Sequence, residues 1–524
     1  MQRALPDADA GAAMETARRA LAGGDLTTAE RICQQVLAVT SRNASAWTLL
    51  TETALQRGRP DAAIVCADRA VALTPEEPIA HIMRAKCLFV SGEAPAALAE
   101  AEVASRLVGA APAALDALGA IFGLLGLHGR AMELFRRAVA GRPDVPQFLF
   151  NLAAGERMIG MLEAAETHCD AAIAHDPSYC LAHYLRSDLR IQTRERNHIG
   201  EMERLVSERQ LGWNGEVMLR YALGKEYEDL DEHARAFDQV AAAGALQRRS
   251  ISYDAGAEIA EIDRIIDTQT RAWLAACPAG ISAAAPVFVV GLPRTGTTLV
   301  ERIISSHSAL VAAGETGAFA VELRRALLAR PQGLDMTNLA DPGRRYVAAV
   351  TAISVPGGRR FVDKTLQNYL YCGIIHAALP RAKIILVRRH PLDTCWSIYK
   401  AHFQGQFSFS YDQLELAEYY LAFRRLARHW QATLPAHAFL EVSYEDIVRD
   451  QAAQSRRLIE FIGLAWEDEV LRFHASTAPS ATASAVQVRR PLYASSVGKW
   501  RHHAQALAPL RTRLAREIPE AELV

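Results

Sequence analysis

The chain has 524 residues, half of them hydrophobic, and a formal net charge of −1 at pH 7. This length exceeds what one ordinary hydrophobic core supports, so about two or three domains are expected. The near-neutral charge gives no global bias toward nucleic acid or an anionic membrane, and no run of about 18 apolar residues predicts a transmembrane helix. We expect a globular protein with no nucleic-acid partner and no membrane insertion.

The N-terminal stretch and the cysteines bear on the compartment. Residues 1–24 contain early acidic residues and no continuous apolar core, unlike a secretory signal. The eight cysteines are scattered and form no CxxC pair, which is typical of reduced thiols in a cytoplasmic protein. The sequence therefore predicts a cytoplasmic location.

A repeat runs through the N-terminal half. Turn glycines recur every 34 residues, and an alanine follows each of them five positions later. The glycines are Gly24, Gly58, Gly92, Gly126 and Gly160, and the alanines are Ala29, Ala63, Ala97, Ala131 and Ala165. This is the pattern of tetratricopeptide repeats, in which each unit is a pair of antiparallel helices that stacks on its neighbours.

The repeat phase breaks near Arg194, and a degenerate unit returns around 223–227. We predict an all-α tetratricopeptide-repeat solenoid over residues 1–250. Residues 251–285 are expected to form a capping helix, Asp254 to Trp273, and a linker. Such arrays commonly bind a peptide or protein segment on a concave surface. A scaffold for homo-oligomerisation, or for packing onto the rest of the chain, is the alternative, and the sequence leaves both open.

The stretch from Val287 to His307 reads as a strand, a glycine-bearing turn and the start of a helix. Val287 to Val290 form the short apolar run of a buried parallel strand. Gly291 and Gly296 bracket the turn, and the helix follows directly. Backbone N–H groups in such a turn, together with the helix dipole, favour a bound anion.

This loop differs from that of a nucleotide triphosphatase. Thr297 occupies the position of the phosphate-binding lysine in the GxxxxGK[ST] pattern, and Thr298 follows it. The apolar run 384–387 leads into Arg388 and Arg389 rather than into a metal-binding aspartate. Residues 286–524 are therefore predicted to form an α/β, P-loop-like domain with a parallel sheet, whose nucleotide needs no γ-phosphate and no metal.

The segment 290–299, VGLPRTGTTL, resembles the 5′-phosphosulfate loop of sulfotransferases, especially the tyrosylprotein type. The segment 388–397, RRHPLDTCWS, resembles their 3′-phosphate motif. With repeats ahead of these motifs, the chain resembles the bacterial sulfotransferases that contain tetratricopeptide repeats. The resemblance implies 3′-phosphoadenosine 5′-phosphosulfate as the cosubstrate.

The resemblance also implies roles for particular residues. On the cofactor's 5′ side it places Arg294, Thr295, Gly296, Thr297 and Thr298. Arg389 and Ser397 would bind the 3′-phosphate, and Tyr444, Ser484 and Lys499 would contact the nucleotide from the C-terminal part of the domain. Lys364 would stabilise charge near the bridging oxygen, and Glu315 would be the general base.

Several of these assignments have alternatives. One extra residue precedes Gly314, so a shift by one position would put Thr316 in the slot of Glu315; Asp363 and His390 are the other candidate bases. Lys364 is otherwise a surface partner of Asp363. An arginine that the tyrosylprotein type carries four residues after the serine is Ala401 here, beside Lys400.

The predicted function is sulfuryl transfer to an acceptor hydroxyl, such as a peptide tyrosine or another macromolecular acceptor. The alternatives are a repeat adaptor with a nucleotide-binding or inactive C-terminal domain, and a nucleotide kinase. The sequence does not identify the acceptor or the ligand of the repeats.

Overall fold

The computed structural model describes residues 7–208, 211–282, 284–328, 338–354, 359–475, 487–489, 492 and 495–524. These residues form two compact units, Met1–Gly155 and Glu156–Val524. Because the boundary falls inside a helix and ahead of the predicted end of the solenoid at residue 250, the second unit contains helical hairpins as well as the sheet. The predicted boundaries 1–250, 251–285 and 286–524 stay predictions.

The first unit is a series of antiparallel helical pairs. Its helices are α1 (Asp7–Ala22), α2 (Leu26–Val39), α3 (Ala44–Gln56), α4 (Pro60–Leu73), α5 (Pro78–Val90), α6 (Ala94–Leu107), α7 (Pro112–Leu124), α8 (His128–Gly141) and the start of α9 (Pro146–Ile159). The repeat glycines between paired helices have positive φ, as at Gly58 (67°) and Gly126 (77°), a conformation that costs glycine little. The repeat alanines Ala29, Ala63 and Ala97 are fully buried. The helical solenoid predicted from the period is confirmed.

Helices also open the second unit. They are α10 (Leu162–His175), α11 (Cys180–Asp188), α12 (Ile199–Ser207), α13 (Trp213–Asp229), α14 (His233–Ser250), α15 (Ala255–Thr268) and α16 (Arg271–Ala276). Gly224 lets α13 and α14 approach closely, since a Cβ there would lie 2.7 Å from Val240 Cγ2. The helix predicted over Asp254–Trp273 is two helices, because it is interrupted at Gln269. Ile262 and Ile265 of α15 lie in the core that covers one face of the sheet, together with Val217 and Val240 of α13 and α14.

Five parallel strands form the sheet, in the order β2-β3-β1-β4-β5. They are β1 (Val287–Val290), β2 (Leu310–Gly314), β3 (Arg360–Asp363), β4 (Lys383–Arg388) and β5 (Phe439–Ser443). Alternate residues of β1 and β4 face two different cores: Phe288 and Leu386 belong to one, Val289 and Ile385 to the other. The sheet is thus covered on both faces, which explains why its central strands are continuously apolar.

Helices lie between the strands along the chain and follow the last of them. They are α17 (Thr297–Ser305), α18 (Ala318–Leu328), α19 (Ala340–Ser354), α20 (Cys372–Ala378), α21 (Pro391–Tyr399), α22 (Gln413–Thr433), α23 (Tyr444–Arg449), α24 (Gln451–Ile462) and α25 (Ala508–Leu514). A 3₁₀ segment, Lys499–His503, precedes α25. The predicted α/β domain with a parallel sheet is confirmed. None of the described helices is both long and apolar enough to cross a membrane.

Candidate functional site

Most of the predicted site residues stand where a strand ends. The loop from Gly291 follows β1, Glu315 follows β2, Lys364 follows β3, Arg389 follows β4 and Tyr444 follows β5. Because all five strands are parallel, these residues come to the same edge of the sheet, which is where open α/β sheets bind ligands. β1 lies between β3 and β4, so the loop starts between the strands that carry Lys364 and Arg389.

The loop after β1 has an unusual backbone. Arg294 has φ of 67° and Gly296 has φ of 100°, both left-handed conformations. Thr295 Oγ1 donates to Leu292 O at 2.8 Å, so this hydroxyl is used inside the loop. Thr297 and Thr298 are buried in the first turn of α17, where backbone N–H groups lack helical acceptors. The loop is therefore preorganised as an anion cradle.

Tyr444 closes this loop from the side of β5. A Cβ on Gly296 would lie 2.6 Å from Tyr444 Cδ2, so only glycine allows the ring to approach so closely. The hydroxyl of Tyr444 is 2.6 Å from Ser496 Oγ. Tyr444 is partly buried: it borders the loop and also packs against one of the two cores of the sheet.

Lys364 and Glu315 form the ion pair at the β2–β3 side. Lys364 Nζ contacts Glu315 Oε1, and the two side chains are 1% and 45% exposed respectively. Lys364 is therefore buried, and the alternative of a surface Asp363–Lys364 pair is wrong. Glu315 reaches the lysine from the solvent side.

A bulge in β2 determines which residue meets Lys364. Ala312 pairs with Val362 and Gly314 pairs with Asp363, so Ala313 is an extra residue in the strand. The bulge absorbs the additional residue seen in the sequence. Glu315 consequently faces Lys364, and Thr316 Oγ1 donates instead to Asp363 Oδ2 at 2.7 Å.

Asp363 is fully buried, and its carboxylate accepts several hydrogen bonds. Besides Thr316, its carboxylate accepts from Tyr346 Oη at 2.9 Å and from the backbone N–H of Thr365 at 2.8 Å. Burial raises the pKa of Asp363, and these hydrogen bonds oppose the rise. A carboxylate saturated in this way holds the turn after β3 in place and has little capacity left to accept a proton from a ligand.

Sequence reasoning missed a third carboxyl beside Lys364. Glu301 of α17 is 6% exposed, and its Oε1 has no hydrogen-bond partner among the described residues. Burial raises the pKa of Glu301, and the charge of Lys364 opposes this rise. The signal was available, because Glu301 lies one turn after Thr297 on a helix whose first eight residues are all buried.

Arg389 organises the other side of the site. Its Nη1 donates to Arg294 O and to Ser397 Oγ, each at 3.2 Å, and its Nη2 donates to Ser496 O at 2.5 Å. Its Nε is buried and has no partner among the described residues. The structure thus brings Arg389, Ser397 and Tyr444 together next to the loop. The orphaned Nε is a donor that an anion would satisfy.

The neighbours of Arg389 point elsewhere. Arg388 is 55% exposed and pairs with Glu441 at 2.5 Å. His390 stacks on Trp500 with ring centroids 5.8 Å apart, and burial lowers its pKa. Lys400, beside the Ala401 that replaces the family arginine, pairs with Glu228 of α13 at 2.5 Å, so its charge is already balanced.

The C-terminal contributions are partly described. Lys499 is exposed and begins the 3₁₀ segment, and Trp500 is buried behind it. Arg489 Nη2 donates to Met158 O at 2.7 Å. The predicted residue Ser484 lies outside the described residues. Within the described part of the chain, no group of three or more His, Cys, Asp or Glu side chains has a metal-binding arrangement.

Comparison with known proteins gives a match in each of two parts of the chain. Residues 286–468 match the model of the sulfotransferase family, and residues 20–87 match a tetratricopeptide repeat model. An uncharacterized protein of Aquifex aeolicus is 28% identical over 401 residues, which cover 72% of this chain and 52% of that protein. The chain therefore spans about half the length of this curated relative.

Two solved structures are similar to the helical part. The tetratricopeptide repeat protein TTC0263 of Thermus thermophilus is 18% identical, with 34% of this chain and 98% of that chain covered and a TM-score of 0.32. A tetratricopeptide repeat protein of Parabacteroides merdae is 18% identical, with 47% and 94% covered and a TM-score of 0.32. The two family matches by themselves show that the chain contains tetratricopeptide repeats and a sulfotransferase domain.

Proposed function

We propose that the sulfotransferase domain uses 3′-phosphoadenosine 5′-phosphosulfate and transfers its sulfuryl group to an acceptor hydroxyl. The observation that carries the proposal is the arrangement at the carboxyl edge of the sheet. An anion cradle starts from β1, with a buried lysine after β3 paired to a half-exposed glutamate after β2 on one side and a buried arginine after β4 on the other.

The residues present fit this cosubstrate. The Nε of Arg389 lacks a partner within the described chain, and the first turn of α17 offers backbone donors. Arg294, Thr295, Gly296, Thr297 and Thr298 would bind the 5′ side, and Arg389 with Ser397 would bind the 3′-phosphate through charge-assisted hydrogen bonds. Tyr444, Ser484 and Lys499 complete the proposed nucleotide contacts. We expect no metal to be required, since Lys364 and Arg389 supply the cationic charge.

The cosubstrate supplies an activated sulfuryl group, and the chain supplies proton transfer and charge stabilisation. Glu315 is half-exposed at the mouth of the site, so its carboxylate can accept the proton of an incoming hydroxyl. Lys364, held in the interior, presents its ammonium where negative charge grows on the departing phosphate. Asp363 and Thr316 hold the turn that carries Lys364.

The repeats support a macromolecular acceptor, because tetratricopeptide arrays are interaction surfaces. A peptide tyrosine or another macromolecular hydroxyl is our proposed acceptor class. A cytoplasmic location is supported by the eight cysteines, all of which are free thiols.

Calorimetric titration tests the cosubstrate. We expect adenosine 3′,5′-bisphosphate to bind without magnesium, and more tightly than adenosine 5′-phosphate. ATP with magnesium is the comparison ligand. If ATP binds only with magnesium and the bisphosphate does not bind, the domain belongs to phosphoryl transfer and the proposal is wrong.

A further inference from the structure

A carboxylate from the helical hairpin α13–α14 reaches the helix that carries Ser397. Glu228, near the end of α13, is 13% exposed in its side chain. Its Oε1 accepts from Trp396 Nε1 at 3.1 Å and from Lys400 Nζ at 2.7 Å, and its Oε2 lies 2.5 Å from the same Nζ. Both donors belong to the C-terminal end of α21, on either side of Ser397.

The same carboxylate also faces the C-terminal 3₁₀ segment. His503 Nε2 lies 3.7 Å from Glu228 Oε1, and the His503 ring packs on Trp396 with centroids 3.9 Å apart. Phe237 of α14 also packs against Trp396, with ring centroids 5.7 Å apart. Lys400 and His503 hold the pKa of Glu228 well below its usual range despite burial. Glu228 is therefore an ionised acceptor shared by two elements.

Helix α21 and the 3₁₀ segment also contact each other close to Arg389, the residue proposed to bind the 3′-phosphate. Asp393, in the first turn of α21, accepts from the backbone N–H of Gly498 at 2.6 Å and of Trp500 at 3.1 Å. The preceding Ser496 contacts Arg389 through its carbonyl and Tyr444 through its hydroxyl. The position of α21 relative to the 3₁₀ segment thus sets how Ser397 and Ser496 face Arg389.

We propose that Glu228 is a positioning residue for the 3′-phosphate pocket, acting through α21 and the Lys499–His503 segment. The inference rests on the proposed function, because it concerns the affinity of the nucleotide site. It also gives the hairpin α13–α14 a role in nucleotide binding, because the hairpin supports the helix that carries Ser397.

The sign of the effect separates positioning from charge. Glu228 is an anion near a site for an anion, so removing its charge should, by Coulomb's law alone, strengthen nucleotide binding. A positioning role predicts the reverse, because Trp396 and Lys400 lose their common acceptor and α21 is no longer held. Glu228→Gln keeps an acceptor oxygen and should retain most of the affinity that Glu228→Ala loses.

The test is titration of the full chain and its variants with adenosine 3′,5′-bisphosphate and with adenosine 5′-phosphate. We expect Glu228→Ala to weaken bisphosphate binding about tenfold, the loss of one charged hydrogen bond, and to change 5′-phosphate binding less than about twofold. Trp396→Phe removes only the indole donor while keeping an aromatic ring. It should weaken bisphosphate binding about threefold, and it tests the proposal even if Glu228→Ala does not fold.

Arg248→Ala provides the matched control. Arg248 of α14 pairs with Glu415 of α22 through two contacts of 2.8 Å, an ion pair of the same kind that does not touch α21. It should lower the unfolding temperature and leave bisphosphate affinity unchanged. Equal losses for both nucleotides in Glu228→Ala, or tighter bisphosphate binding, would overturn the positioning role. If the unchanged chain binds no bisphosphate, the proposed function itself fails, and the inference with it.

Discussion

Lys364 follows β3 and Arg389 follows β4, the two strands that flank β1. The surroundings of the two cations nevertheless differ in kind. Lys364 contacts a carboxylate, Glu315, and lies near two more carboxyls, Glu301 and Asp363. Arg389 donates to neutral oxygens of Arg294, Ser397 and Ser496. A cation already balanced by a carboxylate adds little net attraction for an anion, whereas one with neutral partners keeps its charge available.

The comparison assigns the two sides different tasks. The Lys364 side can rearrange charge and protons during a reaction, since its ion pair reaches solvent at Glu315. The Arg389 side can hold a dianion before and after the reaction, since its donors are already oriented by backbone carbonyls and a serine. We therefore expect variants on the first side to change turnover and variants on the second to change affinity.

The largest effect is expected for Lys364→Ala. Turnover, followed as formation of adenosine 3′,5′-bisphosphate, should fall by about 10²–10³-fold, the cost of losing a transition-state charge stabiliser. Bisphosphate affinity should change by less than about threefold, because Glu315 currently offsets the lysine charge. Lys383→Ala, at the opposite edge of the sheet, is the control and should leave both unchanged. An affinity loss as large as the turnover loss would remove the distinction between the two sides.

Two of the three carboxyls near Lys364, Glu315 and Glu301, can be told apart by their effect on turnover. Glu315→Gln should lower turnover about 10²-fold, as expected for a general base, with bisphosphate affinity nearly unchanged. Glu301→Gln should lower turnover much less, because Glu301 is buried and Glu315 faces solvent. If the order is reversed, Glu301 is the base and the solvent-facing pair is structural.

The pH dependence of folding stability should also distinguish Glu301→Gln from Glu315→Gln. Because burial raises the pKa of Glu301 above its ordinary value of 4.5, the folded state favours the protonated form. Stability contributed by this group therefore falls as pH rises from about 4.5 to the raised pKa. Glu301→Gln should remove that fall, which thermal unfolding between pH 4 and 8 would detect, and Glu315→Gln serves as the comparison.

On the affinity side, Arg389→Ala should weaken bisphosphate binding by about 10–100-fold, the range for a charged hydrogen bond to phosphate. Adenosine 5′-phosphate, which lacks the 3′-phosphate, should bind almost as before. Arg388→Ala is a matched control, because its side chain is exposed and pairs with Glu441. Comparable losses in both variants would mean that the general positive potential attracts the nucleotide, and not specific hydrogen bonds from the Arg389 guanidinium.

Features of the fold that are determined by residues close together in the sequence could be predicted from local patterns. The 34-residue glycine period and the strand–turn–helix from Val287 are set within short stretches, so the repeats and the anion loop could be read from the sequence. The choice between Glu315 and Thr316 could not, because it depends on a bulge at Ala313 in the pairing of β2 with β3.

Contacts between segments that are distant in the sequence could not be predicted either. Glu228 and Lys400 are 172 positions apart, and no local pattern joins a repeat-type helix to the helix after β4. The partners of α15 could not be predicted for the same reason, since its amphipathic pattern indicates that Ile262 and Ile265 are buried but not against which elements. Periodicity identifies a buried face; only the tertiary fold identifies what covers it.

The contact between the loop and Tyr444 gives the weakest of these effects. Gly296→Ala should lower stability by about 1–3 kcal/mol, since it combines a left-handed φ with a 2.6 Å approach to Tyr444 Cδ2. Gly463→Ala, at φ of 78° with open space around it, isolates the backbone cost. The difference between the two unfolding temperatures measures the contact with Tyr444.

Because Arg389 lies over the Tyr444 ring, 5.0 Å from its centroid, displacing the ring should also weaken bisphosphate binding about threefold. Equal destabilisation by both glycine variants, with unchanged binding, would show that Tyr444 moves aside freely and does not connect the loop to Arg389.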